Sequence, residues 1–364
     1  MLKTVFISSI YLAVFISGIS NETALISLLV SLLSACLGFI ILLKNGQNIK
    51  LPQNFGVMSL FIIILQLYLF FLNDKLNPFY FTTTLIQGLL YWVIFTNITF
   101  GARVLKRLLI TMALFYTSLY ILTVQFDLNL IKLANLFFGQ NSPTRHWDIG
   151  NLWSFLLIVI IGTKWNKLDL PSILIISLGF IFLGLSNVRS ALLSLIFGVS
   201  YIFYNSKYFY KSSKKFVYLV ISILSLLFII TSLNKTTIFD RPYYIQSIES
   251  LAIYPFGVGI GNFKNIATLY FNKGTDGDML SISTFNILLE ALSGVGIFSV
   301  IFLYFLIKVT KQLLKRNKTD SIVWGALIIT ILVNFMLDSS YTIPSLVWIF
   351  YMALGIFEKK NKLT

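Results

Sequence analysis

Apolar residues run along this chain in blocks of roughly 15–22, about the length an α-helix needs to cross a hydrocarbon core about 30 Å thick. The blocks fall near 4–18, 24–43, 55–73, 80–98, 108–126, 150–163, 170–186, 190–206, 216–233, 285–307, 322–338 and 341–357. Leu, Ile and Phe dominate them, without the period-two alternation of a transmembrane strand. Backbone groups in hydrocarbon must bond within their own segment, so such blocks predict helices. The pattern predicts an all-α integral membrane protein with about 12 transmembrane helices, in a single polytopic domain over 1–364. The first block, behind Lys3, has the length of a signal-peptide core, but no A-x-A cleavage pattern follows it. It therefore reads as an anchor.

Composition agrees with the pattern. Only 11% of residues are charged and 57% are hydrophobic, whereas soluble domains carry about 25% charged residues. Charge then gives the orientation. Alternate connections hold 20 of the 28 Lys and Arg residues, from Lys3 through Arg103, Lys106, Arg107, Lys164 and Lys308 to Lys359, Lys360 and Lys362. The opposite connections hold Lys75, Lys132, Arg145, Arg189, Lys235, Arg241, Lys264 and Lys273. Positive charge marks the cytoplasmic side, which puts both termini inside. The net charge of +15 is then a topology signal that suits anionic membrane lipids and calls for no nucleic acid. The single cysteine, Cys36, and the single histidine, His146, exclude an internal disulfide and a multi-histidine metal centre. Two outer connections are long, at about 127–149 and 234–284, and long connections are disproportionately functional.

Candidate chemistry gathers on that outer side. Ser186-Asn187-Val188-Arg189-Ser190-Ala191 is a very short link between two blocks, and its arginine violates the inside-positive bias. A guanidinium there is suited to gripping a phosphate or diphosphate, or else snorkels to lipid phosphate. Asp240-Arg241-Pro242 reads as a helix start. The apolar spacing of Tyr243, Tyr244, Ile245, Ile248, Leu251 and Ala252 predicts an amphipathic helix lying on the outer interface. Alternating glycines in Tyr254–Phe263 allow tight turns and a close backbone approach to a ligand. Asn286 and Glu290 stand four apart and share a helix face, and a carboxylate at membrane depth is a functional candidate by default, or else a hydrogen-bonded structural residue near the boundary. Arg145-His146-Trp147-Asp148 combines cation, imidazole, ring and acid, a set suited to binding sugar. Among Asp276, Asp278, Glu290 and His146, nothing singles out a general base.

In order, these segments resemble the O-antigen polymerase and ligase family, which includes Wzy-type polymerases and lipid A-core ligases. Ser186–Ala191 resembles its S-x-S-R-[GS]-A helix entry. The stretch from Asp240 to Phe263 is similar to its arginine followed by P-x-G-x-G-x-G-x-F. Phe285-Asn286-x-x-Leu289 with Gly296 is similar to its H-N-x-x-L…G. The resemblance implies a glycosyltransferase C-like fold in the bacterial cytoplasmic (inner) membrane. It implies undecaprenyl-diphosphate-linked oligosaccharide as substrate, no nucleotide sugar, no cofactor, and a chain-length regulator protein as a possible partner. It also implies that Arg189 and Arg241 hold the donor diphosphate, with Glu290 as a further catalytic candidate and Arg145, His146, Trp147, Asn286 and Asp276 as substrate-binding ones. Phe285 stands where the ligases carry a histidine, and a phenyl ring takes no proton, which favours polymerase over ligase. The expected activity is polymerisation of lipid-linked repeat units for O-antigen, capsule or exopolysaccharide. The alternatives are ligase-type transfer and a lipid-linked glycan flippase.

Overall fold

Each apolar block that falls among the described residues is helical in the computed structural model. The structure describes residues 1–17, 23–46, 48–72, 76–125, 146–164, 169–186, 188–205, 222, 243–263, 286–315, 319–338 and 343–362. The helices are α1 (Leu2–Ser17), α2 (Thr23–Lys44), α3 (Phe55–Phe71), α4 (Leu76–Asn97), α5 (Gly101–Gln125), α6 (His146–Lys164), α7 (Leu170–Ser186) and α8 (Arg189–Asn205). After them come α9 (Tyr243–Ile253), α10 (Ile287–Val295), one 3-10 turn (Gly296–Phe298), α11 (Ser299–Leu314), α12 (Thr319–Leu337) and α13 (Pro344–Lys362). Among the described residues there is no strand. The block expected at 216–233 lies outside the described residues, Ser222 excepted. Three helical runs are long and apolar enough to cross a membrane: Leu25–Lys44, Pro78–Asn97 and Ile287–Leu314. Five shorter apolar helices accompany them, at Leu2–Ser17, Phe55–Phe71, Ile149–Lys164, Leu170–Ser186 and Ser321–Leu337.

Several helices outrun their apolar blocks. The sequence pattern starts the fifth block at 108, yet α5 begins at Gly101, because Val104 and Leu105 are buried while Arg103 stays exposed. Helical hydrogen bonding does not stop where hydropathy does. Many basic residues expected in connections therefore sit on helix ends. Lys308 and Lys311 belong to α11, and Lys359 and Lys360 belong to α13. At a C-terminal turn such cations complement the helix dipole.

Contacts between helix ends sort them into two groups. At one end Asn97, closing α4, holds the backbone of Lys50 through both atoms of its amide (2.9 Å each), and Lys359 donates to the Asn97 carbonyl (2.6 Å). There Lys106 donates to Thr163 at the end of α6 (3.1 Å), and Lys3 lies over the Phe100 ring at 4.4 Å. Lys164 pairs with Asp169 at 2.7 Å. That bond, together with a short one from the Ser172 hydroxyl, holds the Asp169 carboxyl well below the usual carboxylate range. Desolvation, aided by Lys164, lowers the Lys106 ammonium. At the other end lie the beginnings of α6, α8 and α10 and the close of α12. Among the described Lys and Arg residues, only Arg189 stands at that end.

Helices cross where one of them is small. A Cβ added to Gly88 of α4 would sit 2.3 Å from the Tyr351 ring of α13, and one on Gly355 of α13 would sit 2.7 Å from the Trp92 carbonyl. The same holds for Gly198 against Thr330, where α8 crosses α12. Buried polar groups bridge helices: Gln87 donates to the Leu28 carbonyl (2.7 Å) and Trp153 to the Thr117 hydroxyl (2.8 Å). Small crossing residues and interhelical hydrogen bonds are the means by which helices associate in lipid, where no hydrophobic force joins them. Outer stripes are apolar too. On α2, Leu25, Leu29, Leu33 and Ile40 are all exposed, Leu33 at 64%. A water-facing helix would be polar along that stripe.

Candidate functional site

Two constellations form at the arginine end. In the first, α8 opens on Arg189, and Ser186, closing α7, and Val188 are buried. Ser186 packs on Gly150 of α6 so closely that a Cβ there would meet its hydroxyl oxygen at 2.6 Å. Ser190 donates to the Asp338 carboxylate (3.3 Å), and Asn151 of α6 donates to the same oxygen (3.2 Å). Asn334, one turn earlier on α12, donates to the Asn151 amide oxygen (2.6 Å). Asn151 and Asn334 are fully buried. The chain of bonds thus ties the openings of α6 and α8 to the close of α12, directly beside Arg189.

Helix electrostatics make this arrangement unusual. A cation in the first turn of a helix and an anion past a C-terminus each oppose the dipole, at about 0.3–1 kcal/mol apiece at exposed sites. Arg189 opens α8, and Asp338 follows Leu337, the last residue of α12. Each charge sits at the unfavourable end of its own helix, and the two ends meet.

The second constellation is built on α10. Asn286 is extended (φ −151°, ψ 120°) and caps the helix, its side-chain oxygen accepting from the Leu288 and Leu289 N–H groups (2.8 and 3.2 Å). The residue expected on a shared face with Glu290 therefore stands just outside the helix. Glu290 is 2% exposed, and its carboxylate accepts from the Gly261 N–H at 2.8 Å. It also lines an apolar pocket with Phe61, Phe81, Leu85, Ile260, Ile287, Ala291 and Phe302. The glycine segment lies against α10 and the 3-10 turn, with Val258 donating to Ser293 (3.0 Å), Gly259 to Gly294 (2.7 Å) and Ile297 to Pro255 (2.9 Å). The close backbone approach expected for a ligand is thus made to a helix of the same chain. A Cβ on Gly257 (φ +81°) would lie 2.4 Å from the Gly294 backbone.

The amphipathic helix expected after Pro242 is α9. Ser247 and Ser250 are buried, while Ile248 and Ile253 are exposed. Two small hydroxyl residues let α9 approach the protein closely and leave Ile248 and Ile253 outward, the side an interfacial helix turns to lipid.

Of the residues singled out by sequence, the structure places Arg189 in the first constellation and Asn286 and Glu290 in the second. His146 and Trp147 open α6. Arg145, Arg241, Asp276 and Asp278 lie outside the described residues. The sequence pattern did not single out Asn151, Asn334 or Asp338, and Ser190 entered it only as part of the Ser186–Ala191 motif. The available signal was the polar residue inside or at the edge of an apolar block, which marks function or specific packing. Among the described residues no group of three or more His, Cys, Asp or Glu could hold a metal ion. No protein-family model matches the chain, and no curated protein matches it.

Proposed function

We propose that this protein is a twelve-span enzyme of the bacterial inner membrane, with both termini cytoplasmic and a glycosyltransferase C-like fold. It polymerises undecaprenyl-diphosphate-linked oligosaccharide repeats on the outer face. The acceptor sugar hydroxyl attacks the anomeric carbon of the donor glycan. The C–O bond to the diphosphate breaks, its electron pair leaving with the diphosphate, and the hydroxyl proton passes to the departing group or to water. Negative charge grows on the leaving group, and a guanidinium placed there lowers the barrier. The observation that carries this reading is Arg189. It is a cation at the helix end least favourable to it, remote from the basic end of the bundle, and next in the chain to Ser190, which with Asn151 donates to the Asp338 carboxylate. The helix dipole does not favour a cation there, and an anionic diphosphate bound at this end would offset that cost. The motif resemblance over Ser186–Ala191, the small-residue crossings and the apolar outer stripes add support.

Proteoliposomes carrying lipid-linked repeats already on the outer leaflet test it. Wild-type protein should give a ladder of glycans. Arg189→Ala should give single repeats, with turnover down about 10²–10³-fold if the guanidinium acts like a lost oxyanion donor. A wild-type ladder from Arg189→Ala, or no ladder from the native protein, refutes the assignment. A flippase would move the substrate without joining it.

A further inference from the structure

Glu290 has a geometry that speaks to its role. Residues 290, 293 and 294 are spaced i, i+3 and i+4, so they form one stripe of α10. Each accepts one N–H from the glycine segment: Gly261 to the Glu290 side chain, Val258 to Ser293 and Gly259 to Gly294. Ile297 extends the stripe, its N–H donating back to Pro255. At Ser293 and Gly294 the acceptors are backbone carbonyls near the end of the helix. One turn earlier, at Glu290, the backbone carbonyl faces along the helix axis toward its own ladder, and the side chain supplies the acceptor instead. Asn286 already serves the first-turn N–H groups of Leu288 and Leu289. The carboxylate thus reaches 29 residues back along the chain to Gly261. The positive φ of Gly257, Gly259 and Gly261 (+81°, +93° and +86°) turns successive N–H groups toward this stripe.

We propose that Glu290 is a positioning residue: its carboxylate clamps the glycine segment onto α10 and so fixes α9, which joins that segment at Tyr254 and packs on α10. It accepts a hydrogen bond from the chain and exchanges no proton with substrate. Arg241 stands two residues before α9 in sequence, so the clamp bears on where the second candidate guanidinium is held. That consequence rests on the function proposed above, while the clamp itself does not.

The full-length protein in nanodiscs, in a Cys36→Ser background, tests it with Ile260→Cys as reporter. Ile260 is 3% exposed against Gly294, so maleimide reaches a cysteine there only when the segment lifts. Glu290→Ala should speed labelling at least about tenfold, and Glu290→Gln, which keeps an acceptor oxygen, should not. A second reporter, Leu195→Cys at a buried position of α8, should stay slow in both. Glycan ladders should persist in Glu290→Gln and shorten in Glu290→Ala. Slow labelling of position 260 in Glu290→Ala overturns the clamp, and so does fast labelling of both reporters, which would mean global unfolding. Loss of polymer in Glu290→Gln with position 260 still protected overturns it as well, since general acid–base groups typically contribute about 10²–10⁴-fold. Labelling decides the clamp even in a preparation that makes no polymer, so failure of the polymerase reading is seen separately.

Discussion

Gly257→Ala is predicted to be one of the most damaging single-methyl additions in the molecule, and its cost follows from the local geometry. Two terms add. The first is conformational: at φ +81° an L side chain pays about 1–2 kcal/mol in backbone strain. The second is contact. The new Cβ would sit 2.4 Å from both the carbonyl carbon and oxygen of Gly294, and 2.5 Å from the Val295 nitrogen. All three are backbone atoms of a helix, which cannot rotate aside as a side chain does. The segment must retreat about 1 Å to reach ordinary van der Waals distance. The bonds Val258–Ser293 (3.0 Å) and Gly259–Gly294 (2.7 Å) are then stretched past useful length, at about 0.5–1.5 kcal/mol each. The sum is about 2–5 kcal/mol. Gly46 provides the control, because its φ is +60° and nothing lies within 4 Å of an added Cβ. Gly46→Ala should cost the conformational term alone. Both substitutions restrict the unfolded chain equally, so that contribution cancels in the comparison. Unfolding in detergent, followed by denaturant or heat, should place Gly257→Ala below Gly46→Ala by about 1–3 kcal/mol. Equal stability of the two variants would refute the claim that the glycines exist for backbone contact with α10.

The buried amide pair offers a second measurement. Asn334 donates to Asn151 at 2.6 Å with both side chains fully buried, so a double-mutant cycle with leucine at each position should give a coupling of roughly 0.6–1.7 kcal/mol, the range for such bonds in membranes. Additive single effects would mean that the pair does not join α6 to α12. At the basic end, Lys164 and Ser172 hold the Asp169 carboxyl below its usual range, so its contribution is present above the unfolded pKa and is lost as pH falls toward the folded one. The stability gap between wild type and Asp169→Asn, read from melting temperatures, should stay constant from neutrality to about pH 5 and narrow below about pH 4. A gap that widened in acid would reverse the assigned sign.

Helices were legible in this sequence because a period-free apolar block of sufficient length has few other conformations open to it. Their ends were less so. Hydropathy located where the chain leaves an apolar surrounding, whereas α5, α11 and α13 continue until hydrogen bonding or a breaker stops them. The site was legible as residues more than as roles. Arg189 stood out because its charge breaks the bias along the chain, and the structure places it at the end remote from the other described cations. Glu290 stood out for the same kind of reason, as a carboxylate in an apolar run, but its partner is a backbone N–H that no composition reveals. Asn151 and Asn334 lie 183 residues apart, and nothing local to either announces the other.

A physical asymmetry explains which features survive that gap. A misplaced charge is visible in one dimension, because its cost depends on the element that carries it. A satisfied polar group is invisible until its partner is known, because satisfaction is a property of a pair. The glycines show the two cases side by side. Gly46 and Gly257 share a positive φ, a conformation glycine adopts without steric cost. Only at Gly257 does a second backbone lie where the side chain would be. The regular spacing of Gly257, Gly259 and Gly261 was the one hint, since a single turn needs one such residue and three in alternation imply a surface being followed. Sequence suggested a ligand as that surface, and α10 itself occupies the place. Glycine spacing therefore marks a close approach, while the identity of the approaching group is fixed only by the fold.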